Sequence, residues 1–238
     1  MAVIYGVNNS LYIDDSLYFE EQSRALRAQW VTPRNCQQLS AIEPALMFYG
    51  SLDSVFHSAS PLNAALITEK DEIQYDSDIC LLITGFELPL RGLDVWNGAF
   101  SSDSKHVRGN AEDGNLRSVY EYVGKESGLT IRAGVTVHHT GGTWSSWPVH
   151  EFEMQTLMAP TQLFPHFSEI FAYITNPCDM WGIRVSAPSK AETRYRGGVK
   201  VFRDRDICDV PLGAHPVVAA PGTRLAYIWA YVGGWDKF

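Results

Sequence analysis

The stretch Leu225–Val232 reads LAYIWAYV and decides the fold class. Its side chains form two alternating sets along the chain, and both sets are apolar. Because successive side chains of a β-strand point to opposite faces of the sheet, the pattern predicts a strand that is covered on both sides. Three other runs have the same strand-like character: Ile79–Thr84, Leu129–Val137 and Glu169–Thr175.

Outward from these runs, short apolar segments alternate with dense turn residues, which is typical of a β-sandwich or barrel rather than of βαβ units. One segment differs. Leu17–Trp30 follows Asp14, Asp15 and Ser16, which are suitable capping residues, and it is predicted to be a helix. We therefore expect an all-β protein with one or two short helices.

The composition of the chain narrows the range of possible functions. The 238 residues carry a formal net charge of −8, with 45% hydrophobic and 19% charged residues. This acidic balance disfavours sequence-independent binding to nucleic acid or to an anionic membrane. The sequence shows no signal-peptide pattern and no apolar run long enough to cross a bilayer. Four scattered cysteines lack a CxxC pair, so neither a standard cysteine zinc site nor a disulfide framework is predicted, and a cytoplasmic location is expected.

A weak internal repeat indicates how the chain is organised. Residues 77–84 read SDICLLIT and residues 168–175 read SEIFAYIT. In each copy an acidic residue opens the strand, and a tryptophan follows later, at Trp96 and Trp181. The repeat predicts two copies of one β fold, with a degenerate N-terminal half at 1–125 and a C-terminal half at 126–238.

Three segments of the C-terminal half carry the candidate chemistry. They are 141–153 (GGTWSSWPVHEFE), 164–171 (FPHFSEIF) and 211–222 (PLGAHPVVAAPG). Each contributes a residue type that binds metals, namely His150, Glu169 and His215. On adjacent strands of a barrel, two imidazoles and a carboxylate form a plausible site for a divalent metal.

These segments resemble those of the 5-deoxy-glucuronate isomerase family of inositol catabolism. GTWSSWPVH at 142–150 is similar to the family's G-N-W-S-S-Y-P-P-H-x-H-D, and GAHPVVAAPG at 213–222 is similar to its G-Y-H-P-V-x-A-A-P-G. Residues 108–110 and 115–119 resemble an upstream R-G-x-x-N-x-R-x-V segment. The 192–194 ETR and the 227–230 strand resemble the related 4-deoxy-5-ketouronate isomerases of pectin breakdown. The resemblance covers about residues 105–234. It implies two tandem cupin-type double-stranded β-helices (jelly rolls), that is, a bicupin.

The resemblance also implies that His150, Glu169 and His215 bind a divalent metal. Zinc is expected, with manganese, iron or nickel as alternatives, and no organic cofactor is expected. The family has a second histidine two residues after the first, where this chain has Phe152. On a strand, positions 150 and 152 share a face, so Phe152 should point into the site without ligating. Three protein ligands with one open position suit a catalytic zinc; the alternatives are an emptied pocket, or His166 as a substitute ligand.

The implied reaction is the isomerisation of an aldose-type sugar acid to a ketose through an enediol, which is an intramolecular oxidoreductase activity. An arginine fork suits the carboxylate of the substrate. Aromatic side chains suit the C–H faces of a sugar. The predicted catalytic residues are Arg184, Arg194 and Glu192, and the predicted substrate-binding residues are Arg117, Trp144, Trp147 and Trp181. No residue is assigned as the base that moves the carbon-bound proton.

Two other functions stay open. Phe152 and the divergent N-terminal half favour a cupin that has lost turnover and binds a small ligand or acts as a structural or interaction module. An altered reaction, such as epimerisation or elimination, is a third reading. The expected partner is a small sugar acid, with no nucleic acid and no membrane, and the family implies a homo-oligomer.

Overall fold

The computed structural model describes residues 26–31, 43–67, 77–86, 105–124, 127, 129–146, 168–186, 198–210 and 214–232. For residues 4–7, 10–13, 99–100 and 104 it describes the backbone alone. In this part of the chain every strand pair is antiparallel.

The elements in chain order are β1 Ile4–Val7, β2 Ser10–Ile13, β3 Arg27–Trp30, β4 Ala45–Gly50, α1 Leu52–His57, β5 Asn63–Ile67, β6 Ile79–Thr84, β7 Ala99–Phe100, β8 Ser104–Arg108, β9 Arg117–Val123, β10 Ile131–His138, β11 Trp144–Ser145, β12 Ser168–Asn176, β13 Trp181–Ser186, β14 Gly198–Arg203, β15 Ile207–Val210, β16 Val217–Ala219 and β17 Arg224–Val232.

The strands form three larger sheets and one hairpin. The N-terminal sheet has the order β3-β6-β4-β5-β7, and β1 pairs with β2 alone. The C-terminal half has a six-stranded sheet, β15-β12-β17-β10-β9-β8, and a four-stranded sheet, β11-β16-β13-β14. The predicted all-β class is confirmed, and the strand predicted from 225–232 lies inside the six-stranded sheet.

The six-stranded sheet is covered on both faces, as the alternating apolar pattern predicts. Ile228 of β17 belongs to a core that includes Phe48 of the N-terminal sheet. The neighbouring Tyr227 points the other way, into a second core with Phe202 of the four-stranded sheet. The first face therefore packs the N-terminal sheet against the six-stranded sheet. The second face, opposite the four-stranded sheet, carries the buried polar side chains that matter for function.

The predicted strands are present with small shifts at their ends. Ile79–Thr84 is β6, Leu129–Val137 corresponds to β10, and Glu169–Thr175 lies within β12. The predicted boundary at 125/126 stays a prediction. It falls between β9 and β10, which are neighbours in one sheet.

The predicted helix Leu17–Trp30 is wrong at its C-terminal end, because Arg27–Trp30 forms strand β3. This strand pairs with β6, and its burial alternates between exposed and half-buried residues with the period of two that a strand requires. The open edge of β6 gives the backbone of 27–30 hydrogen-bond partners, and this pairing outweighs the helix propensity of Ala28 and Gln29. Residues 17–25 lie outside the described part.

Gly134 of β10 is required for packing. A Cβ at this position would lie 2.3 Å from Cζ2 of Trp229 and 2.3 Å from the backbone oxygen of Tyr120. The oxygen belongs to the neighbouring strand and cannot rotate away. We expect Gly134→Ala to lower the free energy of unfolding by about 1–3 kcal/mol, as overpacking does, measured by urea denaturation. Gly50→Ala is the control with a smaller expected cost, since its nearest contact is the Leu62 side chain at 3.0 Å. Equal stability of Gly134→Ala and the wild type would contradict this packing.

Among the described residues, no helix has the length and apolar character needed to cross a membrane.

Candidate active site

Glu169 and His215 meet inside the C-terminal half. Glu169 is the second residue of β12, where it lies opposite Val210 of β15 and Tyr231 of β17. His215 lies two residues before β16, which belongs to the four-stranded sheet opposite β12. Both residues are buried, and His215 Nε2 lies 3.8 Å from Glu169 Oε2. Two residues 46 positions apart in the sequence therefore bring their polar atoms close together in the protein interior.

This pair fits a metal site by its chemistry and its spacing. One nitrogen and one carboxylate oxygen are donors that zinc and other divalent ions accept. Ligand atoms lie about 2.1 Å from zinc, so two of them on one ion are at most about 4.2 Å apart. The 3.8 Å separation is within that limit. In the part of the chain that the structure describes, no third His, Cys, Asp or Glu joins the pair.

Several predicted site residues lie outside the described residues, so the structure brings together two of the four predicted metal ligands. The residues outside are the predicted ligands His150 and His166, the predicted catalytic residues Glu192 and Arg194, and Trp147. Phe152 also lies outside, and its expected orientation into the site stays a prediction.

Arg184 lies in the same interior. It is on β13, between Lys200 of β14 and Val217 of β16, and its side chain is buried. Nη1 donates a hydrogen bond to the backbone oxygen of Asp209 at 2.8 Å. Nε is buried and has no hydrogen-bond partner in the described part of the chain. The predicted catalytic arginine thus carries a buried donor that is still available to a ligand.

The three predicted substrate-binding residues that are described occupy different places. Arg117 of β9 is buried and donates to the backbone oxygen of Asn115 at 2.9 Å. Burial is the main reason why the pKa of Arg117 is lowered. Trp144 is half-buried on β11. Trp181 is 46% exposed at the start of β13, three positions from Arg184 and therefore on the other face of that strand.

Aromatic side chains that the sequence analysis did not assign to the site surround it. Phe171 of β12 contacts His215 edge-on, with ring centroids 5.6 Å apart, and its ring centroid lies 4.7 Å from that of Tyr227. Trp229 and Tyr231 of β17 are half-buried and stack at 5.9 Å. The signal was present in the sequence, because alternation places Tyr227, Trp229 and Tyr231 on one face of the predicted strand.

His138 is a second buried histidine in the interior, at the end of β10. Its ring contacts Tyr227 edge-on, with centroids 6.0 Å apart. Burial is the main cause that lowers the pKa of His138 to about 3; the charges of Arg117 and His139 add to this, and a backbone contact of Thr143 opposes it. The imidazole is therefore neutral at physiological pH. Sequence reasoning gave no sign of this residue.

Comparison with known proteins identifies the family and the fold of the chain. The model of the KduI/IolB family matches residues 95–236. Among solved structures, an IolB-like protein from Salmonella typhimurium LT2 is 17% identical with a TM-score of 0.57, over 96% of this chain and 84% of that chain. A mutant of the Bacillus subtilis oxalate decarboxylase OxdC is 9% identical with a TM-score of 0.46, over 98% and 75% of the two chains. No curated protein showed significant sequence similarity.

The antiparallel sheets that enclose a buried His–Glu pair define a cupin-type, double-stranded β-helix protein, and the Salmonella structure has the same fold. The family match covers more than half of the 238 residues. The chain belongs to the KduI/IolB family. The resemblance predicted from residues 142–150 and 213–222 is confirmed.

Proposed function

We propose that this protein is an aldose–ketose isomerase that acts on a sugar acid of the deoxy-glucuronate type and uses a divalent metal in its C-terminal half. One observation carries the proposal: a KduI/IolB family chain buries Glu169 and His215 with their donor atoms 3.8 Å apart. An imidazole nitrogen and a carboxylate oxygen at this separation are donors that one divalent ion can accept together.

In this proposal Glu169, His215 and His150 bind the metal, with His166 as the alternative third ligand. Zinc is the expected ion, and manganese, iron or nickel would suit the same donors. When bound, the ion would polarise the substrate carbonyl and stabilise negative charge on the enediolate. No organic cofactor is needed for this chemistry, since the reaction moves one proton between neighbouring carbons and one between their oxygens, with no external oxidant or reductant.

The residues of the chain supply binding and exclusion of water. Phe171 contacts His215 and limits how closely solvent approaches it. Arg184, Arg194 and Arg117 are the cations proposed for the sugar-acid carboxylate, because a guanidinium can donate two parallel hydrogen bonds to it. Glu192 remains in the proposed catalytic set, and Trp144 and Trp147 in the proposed sugar-binding set. Trp181 lies on the face of β13 opposite to Arg184 and is not included in this set.

The test is turnover of 5-deoxy-glucuronate, followed by ¹H NMR with zinc-loaded or manganese-loaded protein. We expect the signals of the aldose form to be replaced by those of the ketose, and we expect a chelator to stop the conversion. Failure of both metal-loaded forms to convert either 5-deoxy-glucuronate or 4-deoxy-5-ketouronate would reject the proposed reaction.

Because Phe152 stands where the family has a second histidine, the second candidate function is that of a ligand-binding cupin without turnover. Such a protein would bind a sugar acid and leave it unchanged in the same NMR experiment, which separates the two functions. The remaining proposals are that the partner is a small sugar acid, that the chain forms a homo-oligomer, and that it acts in the cytoplasm without nucleic-acid or membrane partners.

A further inference from the structure

Tyr173 carries the first of two buried donors, and the proposed chemistry gives this tyrosine no role. It lies on β12 four residues after Glu169, so alternation directs both side chains to the same face of the sheet. Its side chain is 0% exposed, and its hydroxyl has no hydrogen-bond partner in the described part of the chain. The ring stacks on Phe202 at 3.7 Å with an interplanar angle of 4°, which fixes the position of the hydroxyl.

Nε of Arg184 is the second donor. It comes from the four-stranded sheet, whereas Tyr173 comes from the six-stranded sheet. Phe202, on which Tyr173 stacks, lies opposite Gly182 of β13, and Gly182 is two residues from Arg184 and therefore on the same face of that strand. The charge of Arg184 also opposes the rise in the pKa of Tyr173 that burial causes. Two buried groups from opposite walls therefore point into one interior.

The chemistry of the two donors defines what they bind. A buried polar group without a partner is costly, and native proteins keep very few of them. Guanidinium N–H groups only donate, and a phenol in this environment keeps its proton and donates as well. Two donors beside one positive charge are complementary to an anionic oxygen, and a carboxylate is the anionic group of a sugar acid.

We infer that the hydroxyl of Tyr173 and Nε of Arg184 together bind the carboxylate of the ligand, and so select acidic over neutral sugars. This rests on the proposed function in one respect, which is that the C-terminal half binds a sugar. Tyr173 is then a specificity-determining residue. A metal held by Glu169 and His215 would contact the other end of the same sugar acid.

Binding of glucuronate and of glucose, measured by isothermal titration calorimetry, tests the inference. We expect the wild type to bind glucuronate more tightly than glucose. Tyr173→Phe should raise the Kd for glucuronate about tenfold, the loss typical of one hydrogen bond to a charged group, and leave glucose unchanged. Arg184→Lys should weaken glucuronate binding at least as much, because lysine keeps the charge but has no donor at the Nε position. Tyr49→Phe, in the N-terminal sheet, is the matched control that should bind as the wild type does.

Thermal unfolding separates binding from folding. Because the Tyr173 hydroxyl is buried without a partner, its removal should leave the Tm unchanged or raise it. Wild-type affinity for glucuronate in Tyr173→Phe would overturn the inference, and so would an equal loss of both sugars with a lower Tm. The inference and the proposed function can fail separately. If the wild type isomerises no uronate but Tyr173→Phe still loses glucuronate binding, only the proposed reaction is rejected.

Discussion

His215→Asn is expected to lower the affinity for zinc or manganese at least 100-fold and to reduce isomerase turnover by a similar factor. Substitution of residues that merely support metal ligands already costs about 10–100-fold, and His215 places Nε2 3.8 Å from the Glu169 carboxylate. Asparagine keeps a polar side chain in the buried position but lacks an imidazole nitrogen. The measurement is isothermal titration calorimetry of the metal, together with the NMR assay of 5-deoxy-glucuronate.

The control for this experiment is His106→Asn, which replaces an exposed histidine of β8 outside the proposed site. We expect this control to keep wild-type metal affinity and turnover. Wild-type affinity in His215→Asn would contradict the assignment of His215 as a ligand. A Glu169→Gln variant provides a second test, because an amide is a weaker ligand than a carboxylate.

The second large effect is a pH-dependent loss of stability that His138 causes. Its pKa is about 3 in the folded protein, chiefly because of burial, and about 6.5 in an unfolded chain. Between these values the unfolded state binds the additional proton, so stability falls as the pH is lowered from about 6.5 towards 3. The loss approaches about 1.4 kcal/mol for each pH unit within this window.

Urea denaturation at pH 7.5, 5.5 and 4.5 measures this contribution. We expect His138→Phe, which keeps an aromatic ring against Tyr227, to lose less stability between pH 7.5 and 4.5 than the wild type. His106→Gln should keep the wild-type dependence, because that histidine is exposed. Identical pH dependence of His138→Phe and the wild type would show that His138 is not held neutral in the fold.

Much of the fold could be predicted because the alternation of side chains along a strand is visible in the local sequence. The alternation in 225–232 predicts β17 and the coverage of both its faces, since a period of two and apolar residues on both sides have one simple structural explanation. Strand β3 could not be found in this way. Its sequence favours a helix, and it is a strand because β6, about 50 residues later, pairs with it.

The site was predictable to the extent that its residues lie in distinctive motifs. Glu169 and His215 are in segments that resemble those of the KduI/IolB family, and the structure brings them together. Tyr173 and His138 could not be predicted as functional residues, because a tyrosine or histidine in an apolar strand usually belongs to the core. Only the fold reveals that the Tyr173 hydroxyl has no hydrogen-bond partner among the described residues, or that burial lowers the pKa of His138.

Anomalous diffraction from crystals grown with manganese tests the central claim most directly, which is that the C-terminal half binds a divalent metal through Glu169 and His215. The account predicts one strong anomalous peak within about 2.5 Å of His215 Nε2 and of a Glu169 carboxylate oxygen, close to the ligand distances of divalent ions. The peak should be absent in His215→Asn. A manganese peak elsewhere, or none between these two side chains, would contradict the account.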